Sequence, residues 1–181
     1  MPNLTLSSQE KRQILEDALA WLVVMAMLLY GVGKSLQFKG AADIDTPVSE
    51  LTGMQLMWAF YGYSRPFSLF LGILEISGAF MLLYRPFRLF GALFLSTVLV
   101  NIIVQDLAFD VNRGALKAAI IYQVALLLIC WLHRQQFAKA FKALRLPRGY
   151  KGISFPRLAI RIGLAFGLFV LLRVGEYYLT H

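Results

Sequence analysis

The chain has 181 residues, of which 59% are hydrophobic and 15% charged, with a mean hydropathy of +0.64. Ordinary soluble domains hold about 45–50% apolar residues, so this composition excludes that class and places the chain among membrane proteins. Its formal charge of +8 would suit nucleic acid, but the positive residues gather in a strip beside an apolar segment, which points to anionic lipid and away from a nucleic-acid role.

Residues 1–13 are polar and lack an apolar core followed by a small-residue cleavage site, so no removable signal peptide is expected, and 1–16 reads as a short segment ahead of the first span. A hydrocarbon core of about 30 Å needs roughly 20 mostly apolar residues as a helix. Five stretches qualify: 17–36, 66–84, 86–109, 114–133 and 155–179. The second and third are separated by Arg85 alone, which predicts a tight helical hairpin with Pro86 in the first turn of the later helix.

Between the first two spans, 37–65 carries Asp43, Asp45 and Pro47, then Leu51, Met54, Met57, Trp58 and Tyr61 at three- and four-residue spacing. Three forms fit 50–63: a helix lying on the surface at the headgroup level, a lid over the bundle, and an ordered loop packed on the helix ends. After the fourth span, 134–157 holds seven basic residues from Arg134 to Arg157 and no acid, with Phe137, Ala138, Phe141 and Leu144 interleaved at helical spacing. This connector, 134–154, reads as an amphipathic helix on anionic lipid. Lys and Arg are retained on the cytoplasmic side of short loops. The connector, Lys11, Arg12 and the Arg85–Arg88 turn are therefore expected inside, the acidic 37–65 loop outside, and the C-terminus outside after five spans.

Charges at bilayer depth are costly, which singles out Glu75 within the apolar run 66–84. At about 1.5 Å per residue it lies roughly 14 Å from the outer surface, near the midplane. Gln123 reaches the same depth on the fourth span and can serve as a hydrogen-bond partner for a protonated Glu75. Asn101 and Gln105 lie one turn apart on the third span, Tyr30 reaches a similar level on the first with Lys34 just above it, and Asp106 and Asp110 stand at the outer rim. The cluster can hold a small polar ligand or a quinone headgroup, form a short proton path, or act as interhelical hydrogen-bond glue. Ser68, Gly72, Glu75 and Ala79 share one face of the second span, which predicts that Glu75 faces protein.

Other candidates resolve to bland readings. The lone Cys130 cannot form an intramolecular disulfide. His133 and His181 lack paired metal or haem spacing, and His133 reads as an interfacial residue. Gly31 to Ser35 lacks the first glycine of a phosphate loop. Arg161 and Arg173 can snorkel from the fifth span, and Glu176 can pair with Arg173.

Tyr30-Gly31-Val32-Gly33-Lys34, Met57-Trp58-Ala59-Phe60, the Gly72, Glu75 and Gly78 spacing, and the Arg85–Arg88 hairpin followed by Gly91-Ala92 together resemble the DoxX-like superfamily of small four-helix membrane proteins, over roughly 20–133. The resemblance implies a DoxX-like four-helix core at 17–133; with the fifth transmembrane helix at 155–181 that hydropathy gives, the expectation is an all-α polytopic bundle in a bacterial inner membrane. The resemblance also implies a link to membrane redox systems, whose name-giving members are subunits of a thiosulfate:quinone oxidoreductase. The fifth helix with its basic connector departs from the family pattern. The expectation is a quinone-contacting or non-catalytic redox subunit without covalent cofactor or metal, associated with other membrane subunits or with copies of itself. A small solute transporter and an assembly partner without chemistry are the alternatives.

Overall fold

A computed structural model describes residues 6–145 and 154–180. The start of the expected N-terminal segment (1–5), the second half of the basic connector (146–153, with Arg148 and Lys151) and His181 lie outside the described residues. The chain divides into two compact units, up to Ala138 and from Lys139 onward.

Local sequence sets the ends of the helices. Helix α1 runs Ser8–Gln37 because Ser7 and Glu10 form a capping box: the Glu10 N–H donates to Ser7 Oγ, and the Ser7 N–H donates to Glu10 Oε2. The helix thus begins well before the apolar run at residue 17. Thr52 and Gln55 repeat the device at the start of α2, Gly53–Tyr63, so this stretch is helical. Helix α3 follows at Arg65–Leu83, with Pro66 in its first turn. Helices α4 (Arg88–Ala108) and α5 (Arg113–Leu132) complete the long elements of the first unit.

Pro86 corrects one expectation, since it lies in a short 3-10 turn, Arg85–Phe87, ahead of α4. The Phe87 N–H donates to the Tyr84 carbonyl and the Arg88 Nε to the Leu82 carbonyl, and these bonds tighten the hairpin before α4 starts. Helix α6, Arg134–Ala143, crosses the junction of the two units and carries the first basic residues of the connector. The second unit also holds α7, Phe155–Thr180, on which Arg173 pairs with Glu176 three residues on.

Every described element is helical, and five helical segments are long and apolar enough to cross a membrane: Ser8–Gln37, Arg65–Leu83, Arg85–Ala108, Arg113–Leu132 and Phe155–Thr180. In the first unit Ala20, Val23 and Met27 of α1 meet Ala79 and Leu82 of α3, Leu95 and Leu99 of α4, and Leu126 and Ile129 of α5. Large apolar side chains such as Met25, Leu29, Ile73, Phe80, Val104 and Leu107 point outward and stay exposed.

Helices α1 and α3 touch backbone to backbone. A Cβ placed on Gly72 would lie 2.5 Å from the Gly31 carbonyl oxygen, and one on Gly31 would lie 2.8 Å from that of Gly72. Only glycine permits that approach. The face formed by Ser68, Gly72, Glu75 and Ala79 is buried, as its small residues require.

At the hairpin end, Arg88 is 3% exposed and reaches Glu16 Oε1 at 3.0 Å and Asp17 Oδ1 at 2.7 Å. Arg85 holds the other oxygen of Asp17 at 2.6 Å, and His133 Nε2 lies 3.0 Å from Glu16 Oε1. This network ties the start of α1 to the hairpin and to the end of α5. It also gives His133, at the end of α5, a carboxylate neighbour.

Candidate ligand-binding site

At the opposite end of the four long helices, α2 lies over α3 and the end of α4. The Ser68 hydroxyl on α3 donates to the Tyr61 carbonyl at 2.5 Å, pinning the end of α2. At its start, Gly53 packs against the Phe109 carbonyl so closely that a Cβ would sit 2.4 Å from that oxygen. Aromatic rings fill the joint between these anchors. Phe38 stacks on Tyr61 at 4.9 Å and meets Trp58 edge-on at 5.5 Å, while Tyr61 stacks on Phe67 at 5.9 Å.

Beneath α2 and between α1, α3, α4 and α5 lies a cavity of about 990 Å³. Six of the seven side chains expected to form a polar site line it: Tyr30, Lys34, Glu75, Asn101, Gln105 and Asp106. Gln123 is the exception and a correction to the expected pairing. It has the right depth but points toward α4, where its Nε2 donates to Ser96 Oγ at 3.3 Å. Depth counts fix height along a helix; the direction a side chain takes depends on how the helix is rotated in the bundle.

The partner of Glu75 is Lys34, whose Nζ lies 3.4 Å from Glu75 Oε1. The Gly31–Gly72 contact makes this possible by bringing α1 and α3 close enough for a lysine one turn beyond Gly31 to reach the carboxylate. Lys34 Nζ also donates to Gln37 Oε1 at 3.3 Å and stands 5.5 Å above the Phe38 ring. Glu75 is 1% exposed, and its second oxygen, Oε2, accepts no hydrogen bond from the described residues.

Asp106, expected at the rim, is instead buried at 7% exposure, with Oδ2 likewise unpartnered among the described residues. Its neighbour one turn on, Asp110, is exposed and takes a positive φ of 47° where the chain turns from α4 toward α5. Asp110 therefore serves the turn, while Asp106 belongs to the cavity. Tyr61 donates to Gln105 Oε1, and Gln105 Nε2 donates to Asn101 Oδ1, a relay running from α2 down α4. Burial holds the Tyr61 phenol above the ordinary tyrosine range; the hydrogen bond with Gln105 pulls it down, and Asp106 and Glu75 push it further up. Tyr30 leans against Tyr122, with ring centroids 6.4 Å apart.

Tyr61 and Trp58 belong to the stretch that spacing offers as a surface helix or a lid over the bundle, and both line the cavity. Their signal is the aromatic density of α2, which serves the cavity from above. Among the described residues no three His, Cys, Asp or Glu side chains gather to hold a metal ion.

The fold and site define a class: an all-helical chain with five helices of membrane-crossing length and a buried ion pair in a large, mostly apolar cavity. The chain is 30% identical over 116 residues to the uncharacterized protein YwoB of Bacillus subtilis, an alignment that covers 63% of this chain and 73% of the relative, and it belongs to the same family as that protein. No protein-family model matches it, and no solved structure does.

Proposed function

We propose that this is an integral membrane protein that binds one small amphiphilic organic molecule in the cavity beneath α2, acting as a small-solute transporter. The observation that carries the reading is the Lys34–Glu75 pair set into the wall of a 990 Å³ cavity under an aromatic cover. Ligand sites are typically concave and mostly apolar, with a few convergent polar groups, and this cavity lies near the upper end of the usual range of about 300–1,000 Å³. An ionisable pair retained among apolar helices points the same way.

Support for the bilayer setting comes from the outward Met25, Leu29, Ile73 and Phe80, an apolar exterior that lipid would cover. Arg85, Arg88 and the basic residues of α6 favour a cytoplasmic hairpin end in a bacterial inner membrane. The cavity then faces the outside. The resemblance to DoxX-like proteins supports a second reading, a quinone-contacting subunit of a membrane redox complex. Lys34 favours it, since its ammonium could donate to a quinone carbonyl.

The test is purification in mild detergent with mass spectrometry of the extracted small molecules, for the wild type and for Leu74→Trp, which fills the cavity from α3. A solute transporter yields one bound organic molecule that the variant loses, and solute uptake when the chain is reconstituted alone. A bound quinone with a cofactor-bearing partner supports the second reading. A folded chain with nothing bound and no uptake refutes both.

A further inference from the structure

The chemistry of the cavity wall narrows the ligand class, an inference that rests on the binding-site reading above. Three charge-bearing groups line the cavity: one ammonium, Lys34, and two carboxyls, Glu75 and Asp106. With all three ionised the wall carries one negative charge in excess. Several of its hydrogen-bond donors are already engaged. Lys34 serves Glu75 Oε1 and Gln37 Oε1, the Tyr61 hydroxyl serves Gln105, and the Gln105 amide serves Asn101.

Two carboxylate oxygens in the wall are unpaired among the described residues. Glu75 Oε2 and Asp106 Oδ2 are buried and accept nothing from the described residues, although both residues line the cavity. Buried carboxylates are stabilised by a positive charge close by, so the complementary ligand is cationic. An anionic headgroup would be disfavoured beside the two carboxyls.

The surrounding rings suit the same ligand. Trp58, Tyr61 and Phe67 border the cavity, and aromatic faces attract cations within about 6 Å of the ring centre. The protein already uses this device at Phe38, over which Lys34 Nζ stands at 5.5 Å. The volume of about 990 Å³ far exceeds what a bare metal ion needs and leaves room for an apolar body beside the charge.

We propose that the cavity takes an organic cation, a protonated amine or quaternary ammonium on an apolar body, with the carboxyls of Asp106 and Glu75 in the wall beside the charge and the rings of α2 and α3 covering it. Lys34 then has a defined part: by neutralising one carboxylate it leaves a single net negative charge for a monovalent cation.

The experiment compares tetraphenylphosphonium and tetraphenylborate, ions of nearly equal size and opposite charge, with menadione as a neutral acceptor-bearing ring. Binding to the full chain in detergent is followed by equilibrium dialysis to saturation. One tetraphenylphosphonium per chain, displaced by unlabelled cation, with no saturable tetraphenylborate, supports the proposal. Asp106→Asn should weaken the cation at least tenfold.

Equal or tighter binding of the anion overturns the cation assignment, as does an unchanged cation affinity in a folded Asp106→Asn. Saturable binding of menadione alone keeps the cavity as a ligand site and overturns only its preference for cations. Binding of none of the three overturns the cation assignment and removes support for the site itself. Because the wild-type comparison needs no substitution, the two probe ions decide the matter even where the Asp106→Asn chain fails to fold.

Discussion

Replacing Lys34 by methionine keeps an apolar side chain of similar length and removes the ammonium, leaving Glu75 at 1% exposure without the cation 3.4 Å away. Breaking a buried pair by removing one partner costs about 3–5 kcal/mol, because the remaining charge is uncompensated. Insertion measurements place a lone charged side chain at the centre of a membrane helix at about 2.5–3.5 kcal/mol. The two ranges meet near 3 kcal/mol, which is about the destabilisation expected for K34M.

The double variant K34M/E75L replaces both charges with apolar groups of similar volume and should return to within about 1 kcal/mol of wild type, since such replacements are often neutral. E75L alone should cost less than K34M, because Lys34 retains Gln37 at 3.3 Å and a side-chain exposure of 13%. The expected coupling between the two sites is about 2 kcal/mol or more, large for a pair of residues in contact. The assay is reversible unfolding in mixed micelles of rising dodecyl sulfate content, followed by tryptophan fluorescence. A K34M chain within about 0.5 kcal/mol of wild type, or a double variant as unstable as K34M, would refute the claim that the pair is interior and coupled.

Further outcomes follow from the packing and the polar ends. Gly72→Ala should lose about 1–3 kcal/mol, because its Cβ would meet the Gly31 carbonyl, a backbone atom that cannot swing aside. Gly33→Ala, with nothing within 4 Å of its Cβ, should gain up to about 1 kcal/mol from helix propensity in the same unfolding assay. Arg88→Met should cost about 3 kcal/mol or more, since it strips Glu16 and Asp17 of a shared buried cation and the Leu82 carbonyl of its donor. A loss under about 1 kcal/mol there would mean that His133 and Arg85 suffice to hold the hairpin end. The raised Tyr61 phenol contributes stability that is complete below the ordinary tyrosine range near pH 10 and is lost as pH climbs through the folded-state value. Wild type should therefore weaken more steeply than Tyr61→Phe as the medium is taken above about pH 10, and parallel curves would count against the buried environment.

Much of this protein is written along the chain. Periodicity and apolar length alone locate the five long helices, because a helix of about 20 apolar residues is a local property that no partner needs to complete. The small-residue face around Glu75 also follows from local spacing, since residues three and four apart share a helix surface. Capping boxes at Ser7 and Thr52 are equally local, although they extend α1 and define α2 beyond what hydropathy suggests.

Pairings between helices are another matter. Gln123 and Glu75 share a depth yet do not meet, because rotation about the helix axis, set by how α4 and α5 pack, turns Gln123 toward Ser96. Lys34 reaches Glu75 only because two glycines on different helices let their backbones touch. Glu16, Asp17, Arg85, Arg88 and His133 lie far apart in sequence and become a single network only when α1, the hairpin and α5 end at the same level. The long helices, their order and the polar residues that qualify for a site are thus legible segment by segment. Which of those residues face one another is a product of packing, since azimuth and interhelical distance belong to pairs of helices and to no single segment.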